Sequence, residues 1–217
     1  MLKKAEVLEQ IHKTGLVPVL RAENEYEALK AAEAMFAGGL NILELTLTVP
    51  GAVHLFAKIH REHPDILLGA GTVLDPETAR ICILEGAHFI VSPALNLKTI
   101  ELCQRYSTVA IPGALTPTEI ITAWQAGADV IKIFPASAMG GASYLKSLKG
   151  PLPQIELIPT GGVDVHTARA FLEAGAYALG VGTDLVDMQA IRAGQAHLLT
   201  ERSMHYLAIV RDFRDSK

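Results

Sequence analysis

Ala126-Gly127-Ala128-Asp129-Val130-Ile131-Lys132 is one of four related stretches in this chain; the others are Ala37-Gly38-Gly39-Leu40-Asn41-Ile42-Leu43, Glu85-Gly86-Ala87-His88-Phe89-Ile90-Val91 and Ala174-Gly175-Ala176-Tyr177-Ala178-Leu179-Gly180. Each reads as a helix end, a glycine and a buried parallel strand. Glycine takes the left-handed conformation that closes a helix, and the apolar residues after it suit a strand covered on both faces. Four further apolar runs, at 16–20, 66–70, 108–111 and 155–158, lie between these, which predicts eight strands. Helix starts are marked by Asp75-Pro76-Glu77 and Thr116-Pro117-Thr118-Glu119, where a capping side chain precedes a first-turn proline and an acid follows. The segment 25–36 is amphipathic, with its alanines and Leu29 as the predicted buried stripe. Eightfold alternation argues for a closed parallel barrel. An open doubly wound sheet alternates in the same way, but the lack of an early Gly-x-Gly-x-x-Gly favours the barrel. The expectation is therefore an α/β chain, a (β/α)8 TIM barrel with an N-terminal capping helix, forming a single domain over 1–217.

Composition narrows the function. The 217 residues are 50% hydrophobic, enough to bury a full core. Net charge is −4 from well-mixed charges, so neither a nucleic-acid footprint nor a polybasic membrane patch is present. The expected partner is a small molecule or another copy of the chain. Cys82 and Cys103 fall in helical stretches without a Cys-x-x-Cys pair and read as free thiols. Glu6 and Glu9 interrupt the N-terminal apolar residues, and every strong apolar run is cut short, so a cytoplasmic location without signal or membrane span is expected.

In a barrel, one parity of each strand faces the lumen, so a polar residue inside a strand is informative. The runs offer Arg21 after the first strand, Glu44 in the second, Thr72 after the third, Lys132 in the sixth and Thr160 after the seventh. All lie at C-terminal strand ends, where barrel enzymes build their sites. One count conflicts: Glu44 lies six residues after Gly38, whereas Lys132 lies five after Gly127, which is opposite parity. Different strand registers are the favoured explanation, the other being that one of the two side chains faces outward.

An amine in an apolar lumen is expected to lose its charge readily and attack a ketone, giving an imine that stabilises a neighbouring carbanion without a metal. Such chemistry needs an acid/base, and Glu44 is the best candidate. Spacing alone leaves open the structural alternative, a buried Lys132–Glu44 ion pair or a lysine snorkelling at the mouth. Pro159-Thr160-Gly161-Gly162-Val163-Asp164 and Gly180-Val181-Gly182-Thr183-Asp184 follow the last two strands, where barrels often hold a phosphate; two such loops together outweigh the reading of plain turns. His60 and His63, beside Arg61 and Glu62, read as a solvated helix end rather than metal ligands. Ser92-Pro93 and Pro112-Gly113 either shape the mouth or only end strands, and Trp124 reads as core.

Together these features resemble the Schiff-base aldolases that cleave 2-keto-3-deoxy-6-phosphogluconate (KDPG) and 4-hydroxy-2-oxoglutarate (KHG). The resemblance spans nearly the whole chain and is carried by Val17-Pro18-Val19-Leu20-Arg21, Leu43-Glu44-Leu45-Thr46-Leu47, Gly69-Ala70-Gly71-Thr72-Val73-Leu74, Ile131-Lys132-Ile133-Phe134-Pro135-Ala136 and Pro159-Thr160-Gly161-Gly162. It implies that Lys132 forms the imine with pyruvate or the keto acid and that Glu44 shuttles protons. It also implies that Thr72 touches the pyruvate carboxylate, Phe134 and Pro93 line the substrate, and Thr160 lies near the hydroxyl that distinguishes stereoisomers. Gly161, Gly162, Gly182 and Thr183 would receive the phosphate of a keto sugar acid. No metal or cofactor is implied, and the usual assembly is a homotrimer. One departure stands out: many members carry a carboxylate-binding arginine where this chain has Thr48, and Arg21 on the adjacent strand is the expected substitute. Three other readings stay open. They are an aldolase for the galactonate-derived isomer, against which Thr160 argues weakly, a sugar-phosphate isomerase or synthase using Lys132 as a clamp, and a non-catalytic sugar-phosphate binder.

Overall fold

Strands and helices alternate along residues 2–216, the part of the chain that the computed structural model describes. The order is α1 (Lys4–Thr14), β1 (Leu16–Leu20), α2 (Glu25–Ala37), β2 (Ile42–Thr46), α3 (Ala52–Glu62), β3 (Leu67–Gly71), α4 (Pro76–Leu84), β4 (Phe89–Val91), α5 (Leu97–Arg105) and β5 (Val109–Ile111). Then come β6 (Gly113–Ala114), α6 (Pro117–Gln125), β7 (Ile131–Ile133), a 3-10 turn (Ala136–Met139), α7 (Ala142–Lys149), β8 (Leu157–Pro159), α8 (Ala168–Glu173), β9 (Leu179–Val181), α9 (Met188–Arg192) and α10 (His197–Asp215). The predicted caps form: Asp75 accepts the Thr78 N–H at 2.6 Å, and Thr116 and Glu119 make a reciprocal capping box.

All named strand pairs are parallel, in the orders β5-β4-β3-β2-β1-β9 and β6-β7-β8. The fifth predicted strand is thus split in two at Pro112, which has no N–H to give a ladder; its carbonyl still accepts the Lys132 N–H at 2.9 Å. At the other junction a single parallel bridge, Thr160 with Gly180, brings the end of β8 beside β9. The sheet is strongly curled. Laid flat, β2 and β7 would stand ~19 Å apart at ~4.8 Å per strand step, yet side chains from these two strands meet at 3.4 Å.

Curling divides the core. Leu20, Leu43, Leu45, Ala70 and Ile131 pack outward under the helices, while Val17, Ile42, Leu67, Phe89, Val109 and Ile158 fill the concave side. Val7 and Ile11 of α1 join this inner cluster from the N-terminal ends of the strands. There α1 is held by the Tyr177 hydroxyl, which donates to the Leu8 carbonyl at 2.7 Å, and by the 2.9 Å Lys4–Asp129 ion pair. Apolar filling at that end leaves the opposite, C-terminal end for polar chemistry.

The doubled glycine in the first repeat has two separate physical causes. Gly39, Gly86, Gly127 and Gly175 are the left-handed residues that end their helices, with φ of 90°, 101°, 93° and 95°. Gly38 has an ordinary φ of −79°, but a Cβ there would lie 2.6 Å from both Ser203 Cβ and Thr200 O of α10. Counted from Gly39, Glu44 is five residues on, as Lys132 is from Gly127, so both share one parity. No difference in strand register is needed; Gly38 is an added residue that lets α10 approach.

Two sequence expectations are corrected. Trp124 is 44% exposed, because α6 buries Ile120 and Ala123 and the next position turns about 100° away. Leu29 is only partly buried, and the buried stripe of α2 is Ala28, Ala31, Ala32, Ala34 and Met35. Among the described residues no helix is long and apolar enough to cross a membrane.

Gly38→Ala is expected to destabilise the fold by about 2 kcal/mol through overpacking against α10, despite the ordinary backbone angle. Urea unfolding measures this, and a loss under about 0.5 kcal/mol, the scale of a neutral surface change, would show that α10 is not held at this point.

Candidate active site

Glu44 stands mid-strand in β2, in register with Val19 and Gly69; Lys132 stands mid-strand in β7, in register with Gly113 and Ile158. Both are buried, at 3% and 4% exposure, and Lys132 Nζ lies 3.4 Å from Glu44 Oε1 across the concave face. Phe134, two residues along the lysine strand, places its ring centroid 5.4 Å from Nζ. Space for the carboxylate comes from Gly71 at the end of β3, where a Cβ would sit 2.3 Å from Oε1. Sequence analysis did not single out Gly71, although a glycine inside a strand signals a close approach of this kind.

A paired lysine and glutamate in such a setting can do more than hold charge. The carboxylate can take the ammonium proton, freeing the amine to add to a carbonyl, and can return that proton when water leaves.

Other residues singled out in the sequence stand at or just past strand ends. Gly113, beside Lys132 in register, lies under the Pro93 backbone, whose carbonyl carbon and oxygen would be 2.3 Å from a Cβ at 113. Thr72, next after Gly71, has φ of 59°, a left-handed conformation that β-branched residues avoid at a cost of about 1–3 kcal/mol. This strained residue stands directly beside the Glu44 cradle. Thr160 is buried, and its Oγ1 would lie 2.0 Å from a Cβ on Gly180, so the hydroxyl lies across that glycine.

Arg21 is exposed just past β1, and its Nη1 would lie 3.4 Å from a Cβ on Gly182. Among the described residues no carboxylate pairs with it. Thr48 is tied back into the sheet: its hydroxyl is 2.7 Å from Thr46 Oγ1, which donates to the Leu20 carbonyl at 2.9 Å. Thr46 thus fixes the end of β1, just before Arg21, and Thr48 joins it at one remove.

The two glycine loops lie side by side because the strands before them meet at Thr160 and Gly180. Gly161 and Gly162 are both left-handed, with φ of 90° and 75°, and the Thr167 hydroxyl donates to the Gly162 carbonyl at 3.1 Å. The Gly182 carbonyl accepts the Leu185 and Val186 N–H groups at 3.1 and 2.8 Å, which leaves Thr183 exposed at the tip of a tight turn. The largest clefts lie elsewhere: one of about 720 Å³, lined by Glu6, Lys13, Asp65 and Arg211, flanks α1 at the opposite end. Its charged groups are solvated, and that end of such a sheet serves stability, so the buried pair marks the site better than cleft size does. His60 meets only His88, with ring centroids 6.1 Å apart, and no metal-binding group of three or more side chains occurs among the described residues.

Residues 7–201 match the family model described as KDPG and KHG aldolase. The 2-dehydro-3-deoxy-phosphogluconate aldolase of Treponema pallidum (strain Nichols) is 32% identical over 204 residues, covering 94% of this chain and 97% of its own. The KHG/KDPG aldolase of Escherichia coli (strain K12) is 34% identical over 194 residues, 89% of this chain and 91% of its own. Among solved structures, a KDPG aldolase from Legionella pneumophila, with pyruvate captured at low pH as a covalent carbinolamine intermediate, is similar at a TM-score of 0.82. It is 31% identical over 94% of this chain and 97% of that one.

Glu44→Leu leaves Lys132 buried without its counter-charge and is expected to cost about 3 kcal/mol, whereas Glu44→Leu combined with Lys132→Met is expected to cost less than Glu44→Leu alone. Urea unfolding of the parent, both single variants and the double variant measures the coupling; simply additive losses would show the 3.4 Å pair to be uncoupled.

Proposed function

The chain belongs to the KDPG and KHG aldolase family, and we propose that it is a class I aldolase that cleaves KDPG to pyruvate and glyceraldehyde 3-phosphate through an imine on Lys132. The observation that carries this is the buried 3.4 Å contact between Lys132 and Glu44. Glu44 takes a proton from the lysine ammonium, and the free Nζ adds to the C2 ketone to give a carbinolamine. The protonated Glu44 then donates to the leaving hydroxyl, water departs, and a protonated imine remains. Glu44, through a water, next removes the C4-hydroxyl proton. The C3–C4 bond breaks, its electron pair flows into the imine as an enamine, and the aldehyde leaves. Protonation at C3 and hydrolysis release pyruvate and restore the amine.

Recognition follows from the rim. Thr72 and Arg21 take the carboxylate; Phe134 and Pro93 flank the imine; Thr160 faces the substrate hydroxyls; Gly161, Gly162, Gly182 and Thr183 seat the phosphate. KHG, which would yield pyruvate and glyoxylate, is a second substrate that engages all but the phosphate seat. The sheet is read as a closed (β/α)8 barrel capped by α1, a single domain over 1–217, for which the Thr160–Gly180 bridge and the inward Val7 and Ile11 are the support. A cytoplasmic homotrimer is the proposed assembly, and exposed Leu74, Ile81, Leu97 and Trp124 offer it apolar surface.

Borohydride reduction in the presence of pyruvate is expected to fix a covalent adduct on the peptide containing Lys132. Absence of that adduct, with activity abolished by EDTA, would overturn the imine mechanism. Arg21→Ala is expected to raise KM about tenfold for KDPG and KHG alike, because both carry the carboxylate. A rise confined to the phosphorylated substrate would reassign Arg21 to the phosphate, a reading favoured by its Nη1, which would lie 3.4 Å from a Cβ on Gly182.

A further inference from the structure

Behind the Gly182–Thr183 turn lies a group of polar side chains that the aldol chemistry does not use. Tyr206 of α10 is fully buried, and its hydroxyl donates to the Asp184 carboxylate, one residue beyond Thr183. Arg202, one turn earlier on the same helix, donates through Nη1 to the Asp184 carbonyl at 2.9 Å and to Asp187 Oδ2 at 3.3 Å. Asp187 in turn accepts the Gln189 and Ala190 N–H groups at 3.0 and 3.1 Å, so this anchor continues into the start of α9. Burial, and then the bond to Asp184, push the phenol's pKa upward, so Tyr206 remains a donor throughout the working pH range. Helix α10 is itself fixed beside these two side chains. Ser203 abuts Gly38, and the Thr200 hydroxyl donates to the Ala34 carbonyl at 2.8 Å.

Core folding alone does not call for this arrangement. A buried phenol needs one partner, and a carbonyl of its own or a neighbouring helix would serve. Here the partners are the side chain and the carbonyl of a single residue that borders the exposed turn. We infer that Tyr206 and Arg202 are positioning residues: by holding Asp184 they set the pose of Gly182 and Thr183, and so set how strongly the enzyme prefers phosphorylated keto acids. This rests on the reading of that turn as the phosphate seat.

The test compares KDPG with KHG as substrates, and inorganic phosphate as a competitive inhibitor, for the parent, Tyr206→Phe, Arg202→Gln, Asp184→Ala and Asp184→Asn. Tyr206→Phe, Arg202→Gln and Asp184→Ala are each expected to raise KM for KDPG and Ki for phosphate about tenfold, with kcat and all KHG constants within about twofold of the parent. Asp184→Asn, whose amide oxygen still accepts the phenol, is expected to stay within about threefold of the parent. Equal losses on both substrates would reduce the cluster to a structural role and overturn the inference, as would no change on either. Should Tyr206→Phe fail to fold, Asp184→Ala and Arg202→Gln decide by the same split. A parent that handles KDPG and KHG alike and ignores phosphate would refute the phosphate seat itself, and the inference with it. A phosphate-preferring parent whose variants keep that preference would refute the inference alone.

Discussion

The meeting of Lys132 and Glu44 across the concave face depends on curvature that no local interaction of either residue supplies. Their strands are separated by the whole of β3, β4 and the split β5–β6 strand, and only a strongly coiled parallel sheet closes that gap to 3.4 Å. Parallel strands of this kind require crossover helices, and those helices must pack tightly enough to hold the curl. Alanine is the packing residue of α2, and glycine at 38 admits α10 to near contact with α2. The buried pair is thus a product of the outer helices as much as of the strands that carry it.

Two charged groups buried at 3% and 4% exposure are costly to desolvate, and their mutual attraction offsets that only in good geometry. Gly71 supplies the geometry on one side by leaving room for the carboxylate, and the Phe134 ring faces the ammonium on the other. Thr72, held at φ of 59°, comes directly after that glycine, so the strained residue and the cavity-shaping one stand next to each other. Apolar residues of similar size often serve stability as well as a buried ion pair does, so stability alone does not call for this one.

Much of this was legible in the sequence. Glycine-terminated repeats announced the alternation, and the polar residues inside apolar runs announced Glu44 and Lys132. What misled was local. Gly38 and Gly39 look equivalent as letters, and only the packing of α10 shows that one serves close approach and the other left-handed closure; counting from the wrong one produced a false conflict of parity. Trp124 misled because bulk predicts burial, whereas a position 100° from the buried face of a short helix is exposed whatever its size. The partners of Gly71 and of Tyr206 were not legible for a different reason. Each lies tens of residues away, a kind of information that periodicity does not carry.

Chemistry and recognition are built from different materials in this fold. Lys132 and Glu44 project from strands, where the ladder on either side fixes their backbone. Arg21, Gly161, Gly162, Gly182 and Thr183 all lie beyond strand ends, on segments whose poses depend on a few hydrogen bonds from neighbours such as Thr167. A loop of this kind is repositioned by altering one donor, whereas moving a strand residue disturbs the whole sheet. The cation missing at Thr48 illustrates the difference. There the Thr48 hydroxyl pairs with that of Thr46, which holds the Leu20 carbonyl at the end of β1, and Arg21 follows directly after that strand. Side chains of the rim can therefore change from one loop to the next while the buried Lys132–Glu44 pair beneath keeps its geometry.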